Sequence, residues 1–185
     1  MTVCDLVDVR RGADAEGGGA RMGYVGSYVW SLRQKAGGRR LLVPGAQVLL
    51  IDGEGRGLFQ QRADNGLWEL PAGACEEDGG FADAAVRELA EETGLRVAKE
   101  DLVAFGSLSE PAVHTVTYPN GDVNHCFALC FAARRWSGEL SPGADEVVRA
   151  RFRPLDDPPQ PLHPPTRVVL EMYRAFLTDG RFRAR

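Results

Sequence analysis

Three glutamates, Glu88, Glu91 and Glu92, stand at i, i+3 and i+4 in the run FADAAVRELAEET. On a helix such positions are neighbours. The same run repeats Ala82, Ala85, Val86 and Leu89 at three- and four-residue spacing, which predicts an amphipathic helix over 81–93 with Gly94 as its stop. Like charges so placed destabilise a helix by about 0.2–0.5 kcal/mol per pair, and acidic groups near a helix C-terminus oppose its dipole. A bound divalent cation reverses the sign of these terms. Oxygen-only ligation suits Mg²⁺ or Mn²⁺, which leaves coordination places for water and substrate phosphate oxygens. A solvated acidic helix face explains the same three residues, and the helix alone leaves both explanations open.

Other elements must position this helix. Tyr24, Tyr28 and Leu32 recur every four residues, which predicts a helix over Tyr24–Lys35 ended by Gly37-Gly38. That helix serves either to pack on its own domain or to close a site or bind a partner, a homodimer contact included. Strands are expected over 46–51, 57–62, 102–107, 113–118, 123–133 and 147–153. Asp52-Gly53-Glu54-Gly55 and Pro119-Asn120-Gly121-Asp122 carry turn chemistry between neighbouring strands. Six prolines from Pro154 to Pro165 imply a stiff connector to a last helix over 166–178, with Thr166 as its N-cap. Residues 1–20 are glycine-rich with little to bury and are expected to form a flexible arm ahead of one domain over 21–185. Strands in mixed order with core helices imply an α+β domain with helices on both sides of a mixed sheet.

Composition narrows the class. The 185 residues are 44% hydrophobic and 26% charged, with a net charge of −4. This fits a soluble globular domain, offers no apolar run long enough to span a membrane, and gives no basic field for nucleic acid. The first residues do not resemble a signal peptide, so a cytoplasmic location is expected. Cys4, Cys75, Cys126 and Cys130 form no C-x-x-C motif. Cys126 and Cys130 share one face of an apolar strand and read as small buried hydrophobes rather than a metal or redox pair.

The stretch Gly73–Leu95 resembles the Nudix box, G-x5-E-x7-R-E-U-x-E-E-x-G-U, where U is bulky and apolar. Gly73, Arg87, Glu88, Leu89, Glu91, Glu92, Gly94 and Leu95 fill eight of its nine defined positions. At about 5–7% usage per residue type, the six identities among them coincide by chance less than about once in ten million starting points. Leu67-Trp68-Glu69-Leu70-Pro71-Ala72-Gly73 also looks like the run that leads into the box, and a looser likeness extends over 43–152.

The resemblance implies an α/β/α sandwich with a mixed β-sheet. It implies metal-dependent hydrolysis of a pyrophosphate bond in a nucleoside diphosphate linked to another moiety. Mg²⁺ is the expected ion, with Mn²⁺ as a substitute. Glu91 and Glu92 are expected as principal metal ligands, and Glu88 as a ligand or general base. Arg87 would orient a glutamate, and Gly73 would offer a backbone carbonyl. Glu146 is a candidate extra ligand. Arg62, at a strand end, is a candidate phosphate contact and Trp68 a candidate base-stacking surface, each weighed against an ordinary structural role. His114 and His125, in apolar strand runs, read as structural, and His163 is given no role. One position departs from the box: Gly79 stands where its first glutamate belongs, and Asp78 or Glu77 is the expected substitute. That departure keeps two other functions open, a catalytically weak domain that senses a nucleotide ligand and a non-hydrolytic enzyme of the same fold. The expected partner is a small nucleotide-type molecule, not nucleic acid or membrane; its identity is not fixed by the sequence.

Overall fold

The computed structural model describes residues 26–117, 121–143 and 146–185. The expected N-terminal arm, Tyr118 of the expected strand and residues 119–120 of the expected turn lie outside this set.

The first helix, α1 (Tyr28–Ala36), is capped by Ser27, whose hydroxyl accepts the Trp30 N–H, while the expected start at Tyr24 lies outside the described residues. β1 (Leu41–Leu50) begins five residues earlier than expected. Pro44 is tolerated there because pairing with the neighbouring strand β4 (Ala72–Ala74) begins only at Gly45. β2 (Gly57–Arg62) and β3 (Trp68–Glu69) precede β4. The box helix follows as α2 (Phe81–Thr93), closed by Gly94 in the left-handed conformation. Then come β5 (Val103–Leu108), α3 (Pro111–His114), β6 (Thr115–Thr117), β7 (Val123–Ala133), β8 (Val147–Arg153), α4 (Pro164–Asp179) and β9 (Arg183–Ala184).

Among the described residues, six strands form one sheet in the order β4-β1-β7-β5-β9, with β6 also paired to β7. β1 and β7 run parallel along the whole of β1, while β5–β7 and β1–β4 are antiparallel, so the sheet is mixed. A second sheet, β3-β2-β8, is antiparallel. Alternation along β1 explains the layering. Val48 and Leu50 pack with Ala84, Ala85 and Leu89 of α2 on one face. Leu49 and Ile51 pack with Val169, Leu170, Met172 and Tyr173 of α4 on the other. The result is the expected sandwich of helices about a mixed sheet.

Three local expectations are corrected. The strand expected over 113–118 is split. Pro111 opens the short helix α3, which buries His114 with Nδ1 2.8 Å from the Leu108 carbonyl, and among the described residues 115–117 are extended. Thr166 is not the cap of the last helix. Pro164 and Pro165 form its first turn, where the missing N–H groups cost nothing, and His163 is the cap residue. The proline-rich connector is not merely a spacer either. Trp68 N–H donates to the Pro161 carbonyl at 2.8 Å and His163 N–H donates to the Trp68 carbonyl at 2.8 Å, so 161–163 pair in parallel with the edge strand β3. Cys75, Cys126 and Cys130 are buried free thiols.

Candidate metal and catalytic site

The box helix presents its glutamates in two different settings. Glu88 and Glu92, one turn apart, are turned inward and are 7% and 4% exposed. Glu91 faces outward, 60% exposed at its side chain, and its Oε2 lies 3.1 Å from Nη1 of Arg87. Arg87 also places Nη2 2.8 Å from Oε1 of Glu88 and donates to the Ala74 carbonyl at 2.8 Å. One guanidinium therefore ties the outer and inner glutamates to the end of β4.

The segment before the helix receives the inner pair. Ala72 N–H donates to Oε2 of Glu92 at 3.0 Å. Gly73 has its α-carbon against Glu88, where a Cβ would lie 2.0 Å from the carboxylate. Its carbonyl approaches β1, 2.6 Å from where a Cβ on Gly45 would stand. Glycines on two neighbouring strands, Gly45 and Gly73, thus bring the backbone of β4, β1 and the Glu88 carboxylate into one close contact.

Electrostatics follow from this burial. Burial raises the Glu88 carboxyl to about 7, against the pull of Arg87 and with help from Glu91 and Glu146. Burial also holds Glu92 well above the usual carboxylate range, reinforced by Glu88, Glu69 and Glu146 and partly offset by Gln60. Glu146 is thereby within electrostatic reach of both inner glutamates, at the start of β8. Among the described residues, no three His, Cys, Asp or Glu side chains stand together at metal-binding spacing. The inner pair nonetheless suits a hard divalent cation. Two adjoining carboxylates, desolvated and repelling each other, are stabilised as anions by a cation, and oxygen donors fit Mg²⁺ chemistry.

Two expected substrate contacts are corrected. Arg62 does not end its strand facing solvent. It is 8% exposed, with Nε and Nη2 at 2.8 and 2.9 Å from Asp64 and Nη1 at 2.9 Å from Oε1 of Glu69. Despite the cost of burial, the carboxylates of Glu69 and Asp64 hold it firmly charged. Trp68 is 2% exposed in the core, with the Arg151 guanidinium 4.4 Å above its ring, and offers no face for a base. Arg62 lies on the same face of this sheet as Glu69, and Trp68 on the other face, in the core cluster that α4 also joins. Gly79 has room for a side chain, since a Cβ there meets Asp83 only at 3.4 Å. Asp78, Glu77 and Glu76 are all exposed. Glu76 adds to the charge around Arg87 and accepts the Tyr28 N–H at 2.9 Å.

Residues given no role by the sequence gather here as well: Gln60, Glu69 and His163 are 1%, 1% and 0% exposed. Glu69 carried a usable signal, because a charge inside the apolar run LWELPA demands a buried partner.

Residues 41–173 match the NUDIX domain, which covers most of the chain. The chain belongs to the Nudix family. A MutT NUDIX hydrolase from Burkholderia pseudomallei shares 27% identity and a TM-score of 0.56, over 71% of this chain and 97% of that one. An ADP-ribose pyrophosphatase from Streptococcus suis shares the fold at a TM-score of 0.57 and 23% identity, over 77% and 98% of the two chains. Over 59 residues the chain is 44% identical to an RNA pyrophosphohydrolase of Dinoroseobacter shibae, which is 31% of this Nudix protein and 37% of that relative. A MutT-like protein of Streptomyces ambofaciens is 44% identical over 54 residues, 35% of its length. The chain thus spans about a third of the length of these two curated relatives. No helix among the described residues is long and apolar enough to cross a membrane.

Proposed function

We propose that this Nudix protein is a Mg²⁺-dependent hydrolase that cleaves a pyrophosphate bond in a nucleoside diphosphate linked to another moiety. The observation that carries this is the inward-facing pair Glu88 and Glu92, set against Ala72 and Gly73 within a Nudix domain. A structural helix gains nothing from two buried, mutually repelling carboxylates.

Glu88, Glu92 and Glu91 would hold the cation, with the Gly73 carbonyl and Glu146 as further oxygen donors. The cation supplies charge neutralisation of the phosphate oxygens and acidifies a water. Arg87 orients Glu88 and Glu91 through charge-assisted contacts. Ala72 N–H fixes the rotation of the Glu92 carboxylate. An inner carboxylate accepts the proton of the attacking water, and Glu88 is the candidate because Arg87 holds it toward Gly73. Arg62 and Trp68 enter as supports of this site and not as substrate contacts. The substrate is a small nucleotide-type molecule, and the protein acts in the cytoplasm.

The test is hydrolysis of nucleoside triphosphates, oxidised nucleotides, ADP-ribose, nucleotide sugars and dinucleotides, with Mg²⁺, with Mn²⁺ and with chelator, products identified by mass spectrometry. Turnover of one class that chelator removes supports the proposal. No turnover across the panel, with ligand binding retained, overturns it in favour of a sensor domain. Gly79 favours that second function. A gain of tenfold or more in Gly79→Glu would trace low activity to this position.

A further inference from the structure

We infer that His163 is a positioning residue for this site: from the proline-rich segment it fixes Glu69, and through Glu69 the backbone that receives Glu88 and Glu92. The inference rests on the hydrolase proposed above. His163 is fully buried, and its Nδ1 lies 3.4 Å from Oε2 of Glu69. Its place is set by backbone: the two 2.8 Å bonds between Trp68 and residues 161 and 163 leave the imidazole beside the next residue of β3, which is Glu69.

Glu69 is gripped from both ends. Arg62 takes Oε1 at 2.9 Å while two further donors of Arg62 are locked on Asp64. His163 faces Oε2. The carboxylate thus has Arg62 at one oxygen and the imidazole at the other. Three residues beyond Glu69, Ala72 supplies the N–H that holds Glu92, and Gly73 supplies the bare α-carbon against Glu88. The charge of Glu69 also acts directly on Glu92. The segment 69–73, which passes from β3 of one sheet to β4 of the other in four residues, therefore transmits the position of His163 to both inner glutamates. A histidine serving only as the cap residue of α4 would not need to face a buried carboxylate. Positioning errors of about 1 Å at such a distance cost on the order of 10²-fold in rate.

The experiment compares His163→Asn with His163→Leu in the full chain. Asn keeps a nitrogen donor near the Nδ1 position, and Leu fills the volume without one. Near-UV circular dichroism and melting temperature report folding. Mn²⁺ affinity is read by electron paramagnetic resonance, and kcat and KM on the substrate found in the panel. The expected result is Mn²⁺ binding weakened tenfold or more and kcat lowered tenfold or more in His163→Leu, KM within threefold of the parent, and most of both losses recovered in His163→Asn. Equal Mn²⁺ affinity and equal kcat in the two folded variants overturn the inference. So does a loss in both variants that merely follows melting temperature. Should His163→Leu not fold, Mn²⁺ affinity and kcat of His163→Asn against the parent decide, a tenfold fall in both overturning the inference. Absent turnover in a parent that binds Mn²⁺ removes the hydrolase proposal alone, because the Mn²⁺ comparison still decides for His163. A parent that binds no Mn²⁺ removes both.

Discussion

α2 and α4 are built alike and used differently. Each is amphipathic and each ends on a glycine in the left-handed conformation, Gly94 and Gly180. α4 buries Val169, Leu170, Met172 and Tyr173 against the sheet and leaves its arginines and acids outside. α2 buries Ala84, Ala85 and Leu89 but also Glu88 and Glu92. The first helix stabilises the domain by removing apolar surface from water. The second gives up part of that gain to keep two carboxylates in a desolvated place. Burying a charged group is costly unless a partner compensates; Arg87 is such a partner for Glu88, and the cation proposed above would be one for both glutamates, while α4 needs none.

The contrast breaks first at Leu170. Leu170→Ala should cost about 2–5 kcal/mol of stability through the lost contacts and the cavity. Urea unfolding measures that loss, while kcat and KM of the folded protein should stay within twofold. A fall in kcat without a fall in stability would assign α4 a part in the site.

A second prediction uses pH. The folded carboxyls of Glu88 and Glu92 lie above their unfolded values, so the folded state retains protons that the unfolded chain releases. Their contribution is fully present below about 4.5 and is lost as pH rises through about 7 and beyond. Buried His114 acts oppositely: burial lowers it to about 4, so it favours folding as pH rises toward 6.5. Above that value only the glutamates remain. Chelator-treated protein should therefore melt at a lower temperature at pH 8 than at pH 6.5, and Glu88→Gln should flatten the difference. A rise over this interval would deny the inner pair its buried character.

The smallest effect belongs to Glu91. Its contact with Arg87 is exposed, so Glu91→Gln should change stability by less than about 1 kcal/mol. Turnover should fall less than in Glu92→Gln, as steady-state rates would show. The reverse order would make the outer glutamate the principal ligand.

Much of this arrangement is legible in the residues. The period of Ala82, Ala85 and Leu89 and the stop at Gly94 mark α2 to the residue. The bounds of β2, β7 and β8 also coincide with the sequence pattern. What escapes is orientation. Spacing places Arg62 and Trp68 near the box but cannot say that Asp64 and Glu69 hold the first buried and that the second packs in the core cluster shared with α4. β3 and β4 have two and three residues, too few for an alternation to register. His163 is hidden for a different reason: prolines mark an irregular path, while the burial of that path depends on its pairing with Trp68. Distinguishing Glu88 and Glu92 from Glu91 likewise required knowing which side of α2 meets β4.

The most direct test of the central claim is Glu92→Gln, measured for turnover with Mg²⁺ and for melting temperature with chelator at pH 8. The inner pair as a cation site predicts turnover reduced by 10²-fold or more. It also predicts a melting temperature equal to or above the parent's, since a repelling buried charge has been removed. Retained turnover, or lost turnover explained by a lower melting temperature, would contradict it.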